Sequence, residues 1–359
     1  MQGRDHADHR RETRCREGRH RRQHVKIPFL QIEPTTRCNY TCGFCAGRHM
    51  EQRDLTLAEL EALLDGVEEL EHVELQGEGE PLLHPQYFAM IAAIRRRFPH
   101  VGVSMVTNGS MFTPENIAAL LDNRISRIFV SLESAEDEKF QAIRGGKLSR
   151  VKRGIAAFLE ERNRRGLSQP TLGFAVTVLR STREALYDSI APLYRELGLD
   201  GGINVQPLQR MPQYASLYDA DMQAELMSPD EDREFGARLL ASPDLVALIQ
   251  QSQRNPGFYD RLYASTARRP VCPWLENGLY VGMDGVVVPC CYVKDSGRYG
   301  LGRVGDDMAI IGQRRGELAR KLAAGQVPAG CTGCRLAHGL AAHATAARGS
   351  AARKNPPPG

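Results

Sequence analysis

Seven of the nine cysteines fall into two groups whose spacing suits metal chemistry. Cys38, Cys42 and Cys45 stand as C-x3-C-x2-C in the run Arg37-Cys38-Asn39-Tyr40-Thr41-Cys42-Gly43-Phe44-Cys45. Three thiolates so close in sequence can hold three irons of a [4Fe–4S] cube and leave the fourth open to a substrate or cofactor. Zinc is the alternative, but it usually takes four closed ligands, and His49 makes no usual zinc spacing with this triad. Cys272, Cys290, Cys331 and Cys334 read C-x17-C-x40-C-x2-C. Four thiolates can enclose a complete cube, which carries electrons rather than substrate, although a zinc ribbon uses the same ligands. Cys291 follows Cys290 directly. Neighbours on an extended chain point oppositely, so the two cannot easily ligate one cluster. Cys291 is then either a small buried residue or a reactive thiol, and exchanged roles for Cys290 and Cys291 stay open. Cys15 lies in the N-terminal tail and has no assigned role.

Elements that could position these groups alternate along the chain. Candidate strands are Phe29–Glu33, Val73–Gln76, Val101–Thr107, Arg127–Leu132, Leu172–Val178 and Ile203–Pro207. Amphipathic helices separate them. Thr56 and Glu59 are spaced as a capping box before Leu57, Leu60, Leu64 and Val67, and Val151, Ile155, Phe158 and Leu159 share a face of another helix. Six strand–helix units predict an α/β fold, a (β/α)6 partial barrel with helices outside, its chemistry at the C-terminal strand ends. Near Arg269 a smaller Cys-rich region begins. Asp284-Gly285 joins Leu279–Met283 to Val286–Pro289, which is a hairpin signal. The organisation expected is therefore a basic disordered tail over 1–26, the partial barrel over 27–208, a helical and loop connection over 209–268, the auxiliary cysteine domain over 269–335 and a poorly ordered tail over 336–359. A start codon placed too early would produce the same N-terminal tail.

Composition narrows the function. The chain has 359 residues, 42% hydrophobic and 25% charged, which is ordinary globular make-up. No apolar run reaches the ~18 residues of a membrane helix, and no signal-peptide pattern opens the chain, so a cytoplasmic protein without membrane partners is expected. In a reducing compartment clustered cysteines are metal ligands or catalytic thiols rather than disulfides. The net charge of +4 belongs to the tails: residues 27–334 carry 34 basic and 39 acidic side chains. That distribution argues against a nucleic-acid partner.

The triad after the first strand, with Phe44 before its last cysteine, resembles the radical S-adenosylmethionine (SAM) superfamily. The resemblance implies a [4Fe–4S] cluster on Cys38, Cys42 and Cys45, chelated by the amino and carboxylate groups of SAM, with SAM cleaved to a 5′-deoxyadenosyl radical. Other strand ends fit the same family. Gln76-Gly77-Glu78-Gly79-Glu80-Pro81-Leu82 is similar to the Gly-Gly-Glu segment that meets the SAM amino group, one residue richer, with either glutamate a candidate. Glycines there allow close backbone approach, and a carboxyl accepts from an ammonium. Thr107-Asn108-Gly109 resembles the turn near the adenosine, Ser131 and Glu133 the residues on the ribose hydroxyls, Arg144 the SAM carboxylate partner, and Gln206 with Pro207 the adenine border. The C-terminal cysteines, with Cys272-Pro273-Trp274 and Gly285-Val286-Val287-Val288-Pro289-Cys290-Cys291, resemble the SPASM/twitch extension in its shorter twitch form, implying a second, auxiliary [4Fe–4S] cluster.

Hydrogen abstraction leads to one of two outcomes. A thiol returning hydrogen from the opposite face gives epimerisation. Loss of an electron to the auxiliary cluster and a proton to a base gives oxidation, such as alcohol to ketone. The segments Glu33-Pro34-Thr35-Thr36-Arg37-Cys38 and Gly77–His84 look most like the aminoglycoside epimerase branch, and Cys291 supplies the donor. A small-molecule natural product is thus the expected substrate, with a flavodoxin or ferredoxin as electron donor. A twitch-type aminocyclitol dehydrogenase and a radical enzyme modifying a ribosomal peptide are the competing readings.

Overall fold

The structure is a computed structural model that describes residues 25–253 and 271–354. Its centre is a nine-stranded sheet. The strands in chain order are β1 (Val25–Lys26), β2 (Phe29–Ile32), β3 (Val67–Glu69), β4 (His72–Leu75), β5 (Gly102–Thr107), β6 (Arg127–Ser131), β7 (Thr171–Val178), β8 (Ile203–Pro207), β9 (Gly278–Val281), β10 (Val286–Val288) and β11 (Gly302–Arg303). The sheet runs β11-β10-β9-β2-β4-β5-β6-β7-β8. All pairs from β9 to β8 are parallel, and β10 and β11 close the other edge in antiparallel fashion. β1 pairs with β3 in a separate two-stranded ribbon. The six expected strands are the six from β2 to β8 with β3 left out, each within a residue of its expected start.

Burial explains this architecture. β2 and β4 are buried along their whole length, as a parallel strand covered on both faces must be. The helix Leu57–Asp65 starts at the Thr56/Glu59 capping box and buries Leu60, Leu63 and Leu64. It stops before Val67, which the 3.6-residue spacing had included and which instead opens β3. The helix Leu148–Arg164 buries Val151, Ile155, Phe158 and Leu159 as its periodicity predicts.

The hairpin of the Cys-rich region forms with Gly285 at φ +73°, a conformation that favours glycine. Its placement was not expected. β9 lies parallel to β2 in register Phe29↔Gly278 to Ile32↔Val281, so the hairpin continues the barrel sheet. Two tail expectations need revision or fall away. Val25 and Lys26 are strand, while residues 1–24, Cys15 among them, lie outside the described residues. The stretch after Cys334, expected as a poorly ordered tail, is a helix, Arg335–Lys354. Alanine is the best helix former, and Ala337, Leu340 and Ala341 bury against Leu275 and Leu322. Among the described residues no helix is long and apolar enough to cross a membrane.

Candidate functional site

One cavity of about 470 Å³ opens at the C-terminal ends of the parallel strands. Cys38, Cys42 and Cys45 line it, together with Phe44, Gly77, Glu78, Gly79, Glu80, Asn108, Ser131, Arg144, Gln206 and Cys291. Residues from positions 38 to 291 therefore meet because each follows or closes a strand of one sheet.

The cysteine loop is fixed from two sides. Thr35 donates through Oγ1 to Asp54 Oδ1 at 2.6 Å, and the Gly-Glu-Gly-Glu loop zips to its other edge, Gly79 N donating to Thr35 O at 3.2 Å and Glu80 N to Arg37 O at 2.9 Å. Glycine at 79 is a requirement of that approach: a Cβ would come within 2.4 Å of Thr35 O. Asn108 Nδ2 donates to Asn39 Oδ1 at 2.8 Å and lies 3.8 Å from Cys38 Sγ. Arg144 Nη1 lies 3.7 Å from Cys42 Sγ, with its guanidinium over the Phe44 ring. Burial pushes the Cys42 thiol up to about 11, and Cys38 and Cys45 also rise for that reason. Thiols so buried stay protonated until a cation takes them, so loading would release their protons. Among the described residues no three Cys, His, Asp or Glu side chains converge on one ion-sized point. Three thiols lining one open cavity, with N–H donors beside two of the sulfurs, fit a cube with one iron facing the cavity better than a closed zinc site.

The two glutamates of the loop separate into different roles. Glu80 is buried and accepts from Thr107 Oγ1 at 2.8 Å and Asn108 N at 2.7 Å, which joins the ends of β4 and β5. Glu78 accepts from Lys294 Nζ at 2.7 Å and from the Cys45 thiol at 3.4 Å. Lys294 was absent from the sequence-based site. It stands three residues beyond Cys291 in a loop whose pattern gives no hint that it folds back onto residue 78. Its ammonium lies 4.9 Å from the Tyr280 ring centroid and 6.0 Å from that of Tyr214. Glu33, fully buried, accepts from Glu78 N at 2.7 Å, and burial holds its carboxyl above the usual range.

Of Ser131 and Glu133, the two residues expected on the ribose hydroxyls, only Ser131 lines the cavity. β6 ends at Ser131, so strand alternation no longer governs position 133. The Glu133 carboxylate instead grips Arg144 through both oxygens, Nη2 donating to Oε1 at 2.7 Å and Nε to Oε2. That pair holds the guanidinium at the triad.

The second thiol group lies apart from the cavity lining. Burial raises Cys290, and the nearby Cys291, Cys272 and Cys331 thiols add to the rise. Cys331 is pushed up to about 12, with Cys272 and Cys334 contributing. Cys272, Cys331 and Cys334 share one apolar cluster, and the charges of Cys272 and Cys331 act on Cys290. Cys291 faces the other way, lining the cavity, where the charges nearest in effect are Lys294, Glu74 and Glu78. Of the two cysteines whose roles the sequence leaves interchangeable, only Cys291 lines the cavity. Residues 209–215 bridge the two groups. Gln213 donates to Gly330 O at 3.2 Å and accepts from Lys294 N at 2.8 Å, and Tyr214 donates to Cys291 O at 3.3 Å.

The fold is the α/β fold of radical SAM enzymes, and residues 32–190 match the family model described as the Radical SAM superfamily. The members of that superfamily are enzymes. It is similar to the tungsten-containing aldehyde ferredoxin oxidoreductase cofactor-modifying protein of Pyrococcus furiosus, 26% identical over 74% of this chain and 71% of that protein. It is also similar to the GTP 3′,8-cyclase of Hydrogenovibrio crunogenus, 30% identical over 52% of this chain, a match spanning only 56% of the cyclase. Among solved structures, Streptococcus suis SuiB bound to its precursor peptide SuiA superposes with a TM-score of 0.58 at 13% identity, over 80% of this chain and 64% of SuiB. That likeness concerns the fold.

Proposed function

We propose that this protein binds SAM at an iron–sulfur cluster on Cys38, Cys42 and Cys45 and epimerises a carbon of an aminoglycoside-like natural product, with Cys291 returning the hydrogen. The observation that carries this reading is that Cys291 lines the cavity while Cys290 does not. When bound, the cluster supplies the electron that cleaves SAM to methionine and a 5′-deoxyadenosyl radical, which takes a hydrogen atom from a substrate C–H.

The chain's own residues do the rest. Arg144 is aimed beside the triad by Glu133 and suits a carboxylate, while the backbone and carboxylate of the Gly77–Glu80 loop suit an ammonium. Cys291 then breaks its S–H bond and forms the new C–H bond on the opposite face. The sulfur is left one electron and one proton short. A flavodoxin- or ferredoxin-type donor would return the electron and solvent the proton; Cys272, Cys290, Cys331 and Cys334 are the residues that would hold the second [4Fe–4S] cluster of this reading, which would supply electron transfer. The carboxylates of Glu74 and Glu78 in the cavity suit a cationic sugar.

Anaerobic turnover in heavy water tests this. Wild-type protein should place one deuterium on the inverted carbon, and Cys291→Ala should form 5′-deoxyadenosine without labelled epimer. Normal epimerisation by Cys291→Ala removes Cys291 from the mechanism. An unlabelled product oxidised by two electrons supports the dehydrogenase reading instead.

A further inference from the structure

The cavity wall around Cys291 carries opposite charges whose placement reads the substrate. Lys294 is nine-tenths buried, its side chain 9% exposed, and it lines the cavity on the loop that also carries Cys291. An ammonium has three N–H donors. One meets Glu78 Oε1 at 2.7 Å, and the rings of Tyr280 and Tyr214 lie against the charge. Glu74, on β4, lines the same cavity and accepts from Gln76 Nε2 at 3.3 Å.

A carbon that takes hydrogen from Cys291 must sit against its sulfur. On this reading the substituent on that carbon faces the Lys294 ammonium, which lines the same cavity and exerts the largest charge effect on the Cys291 thiol. An oxygen there accepts a charge-assisted hydrogen bond, whereas a protonated amine meets a like charge in a poorly solvated place. We propose that Lys294 and Glu74 together read a 1,2-amino alcohol: Lys294 donates to the oxygen on the reacting carbon, and Glu74 accepts from the neighbouring ammonium. Lys294 is thereby a specificity-determining residue that selects an oxygen-bearing carbon for inversion. This deepens the epimerase reading and rests on it for the chemical step, but the recognition stands on binding alone.

The test uses the reconstituted holoenzyme with SAM present and two probes, 2-deoxystreptamine and scyllo-inositol, titrated anaerobically by calorimetry. Lys294→Met should weaken both by about tenfold, as loss of one hydrogen bond to a charged group does. Glu74→Gln should weaken only 2-deoxystreptamine, and Lys294→Arg should keep most of the affinity. In heavy water, deuterium should enter 2-deoxystreptamine at an oxygen-bearing carbon. Unchanged affinity in Lys294→Met, binding of neither probe by wild type, or label on an amine-bearing carbon overturns the inference. The expected binding pattern with no labelled carbon leaves Lys294 in its role and defeats the epimerase reading instead. If Lys294→Met loses iron, Lys294→Gln keeps a donor for Glu78 and the same criteria apply.

Discussion

The two thiol sites differ in almost everything but their ligand type. The triad lines an open cavity, and its surroundings are polar: Asn108, Glu78, Glu80 and the Arg144–Glu133 pair. Cys272, Cys331 and Cys334 pack with Leu275, Leu318, Leu322, Val327 and Ala337, and Cys290 packs with Val286, Val288 and Val293. Polar, oriented surroundings with one side open suit a site where bonds change. An apolar shell suits a site that changes only its charge, because nothing there needs to enter or leave. The contrast teaches that the number of thiols is the lesser signal and that the environment built around them separates their roles.

The largest expected break in this comparison comes from Cys42→Ala. On the proposed two-cluster reading, iron should fall from about eight to about four per chain, and 5′-deoxyadenosine formation should vanish. Loss of all iron would mean the two sites assemble as one. Arg144→Met tests the polar side more locally. Removing one partner of a buried ion pair costs about 3–5 kcal/mol, because Glu133 is left charged and buried. Thermal unfolding should show that loss. A much smaller shift would show that Glu133 has another partner, on the cavity side as first expected. Gln213→Ala sharpens the border between the sites. It leaves the backbone N–H of Lys294 and the carbonyl of Gly330 without this partner, at about 1–3 kcal/mol. Chelator challenge followed by electron paramagnetic resonance should show faster iron loss from the quartet and an undisturbed triad. Equal loss from both would dissolve the distinction.

How far the amino-acid order discloses these sites depends on the range of the interactions. The parallel strands are readable because buried β-branched and aliphatic runs announce themselves locally, and the Asp284-Gly285 turn does so for the hairpin. The triad and the Gly77–Glu80 loop are readable because each follows its strand within a few residues. Lys294, Gln213 and Tyr214 are not. Their partners at 78, 330 and 291 are brought to them only by the folded sheet, and no local pattern marks such a contact. Glu133 pairs with Arg144 where strand alternation alone would set it beside Ser131, because β6 ends at Ser131. The C-terminal helix was missed because its buried face is built largely of alanine, which gives little hydrophobic periodicity.

The parallel pairing of β9 with β2 has a consequence for dividing the molecule. A chain cut ahead of residue 271 would not shed an independent module. It would expose Phe29–Ile32, four fully buried residues, along one unpaired edge, and such an edge is a template for joining a second chain. The region that carries the second thiol group is therefore also the guard of the barrel's first strand.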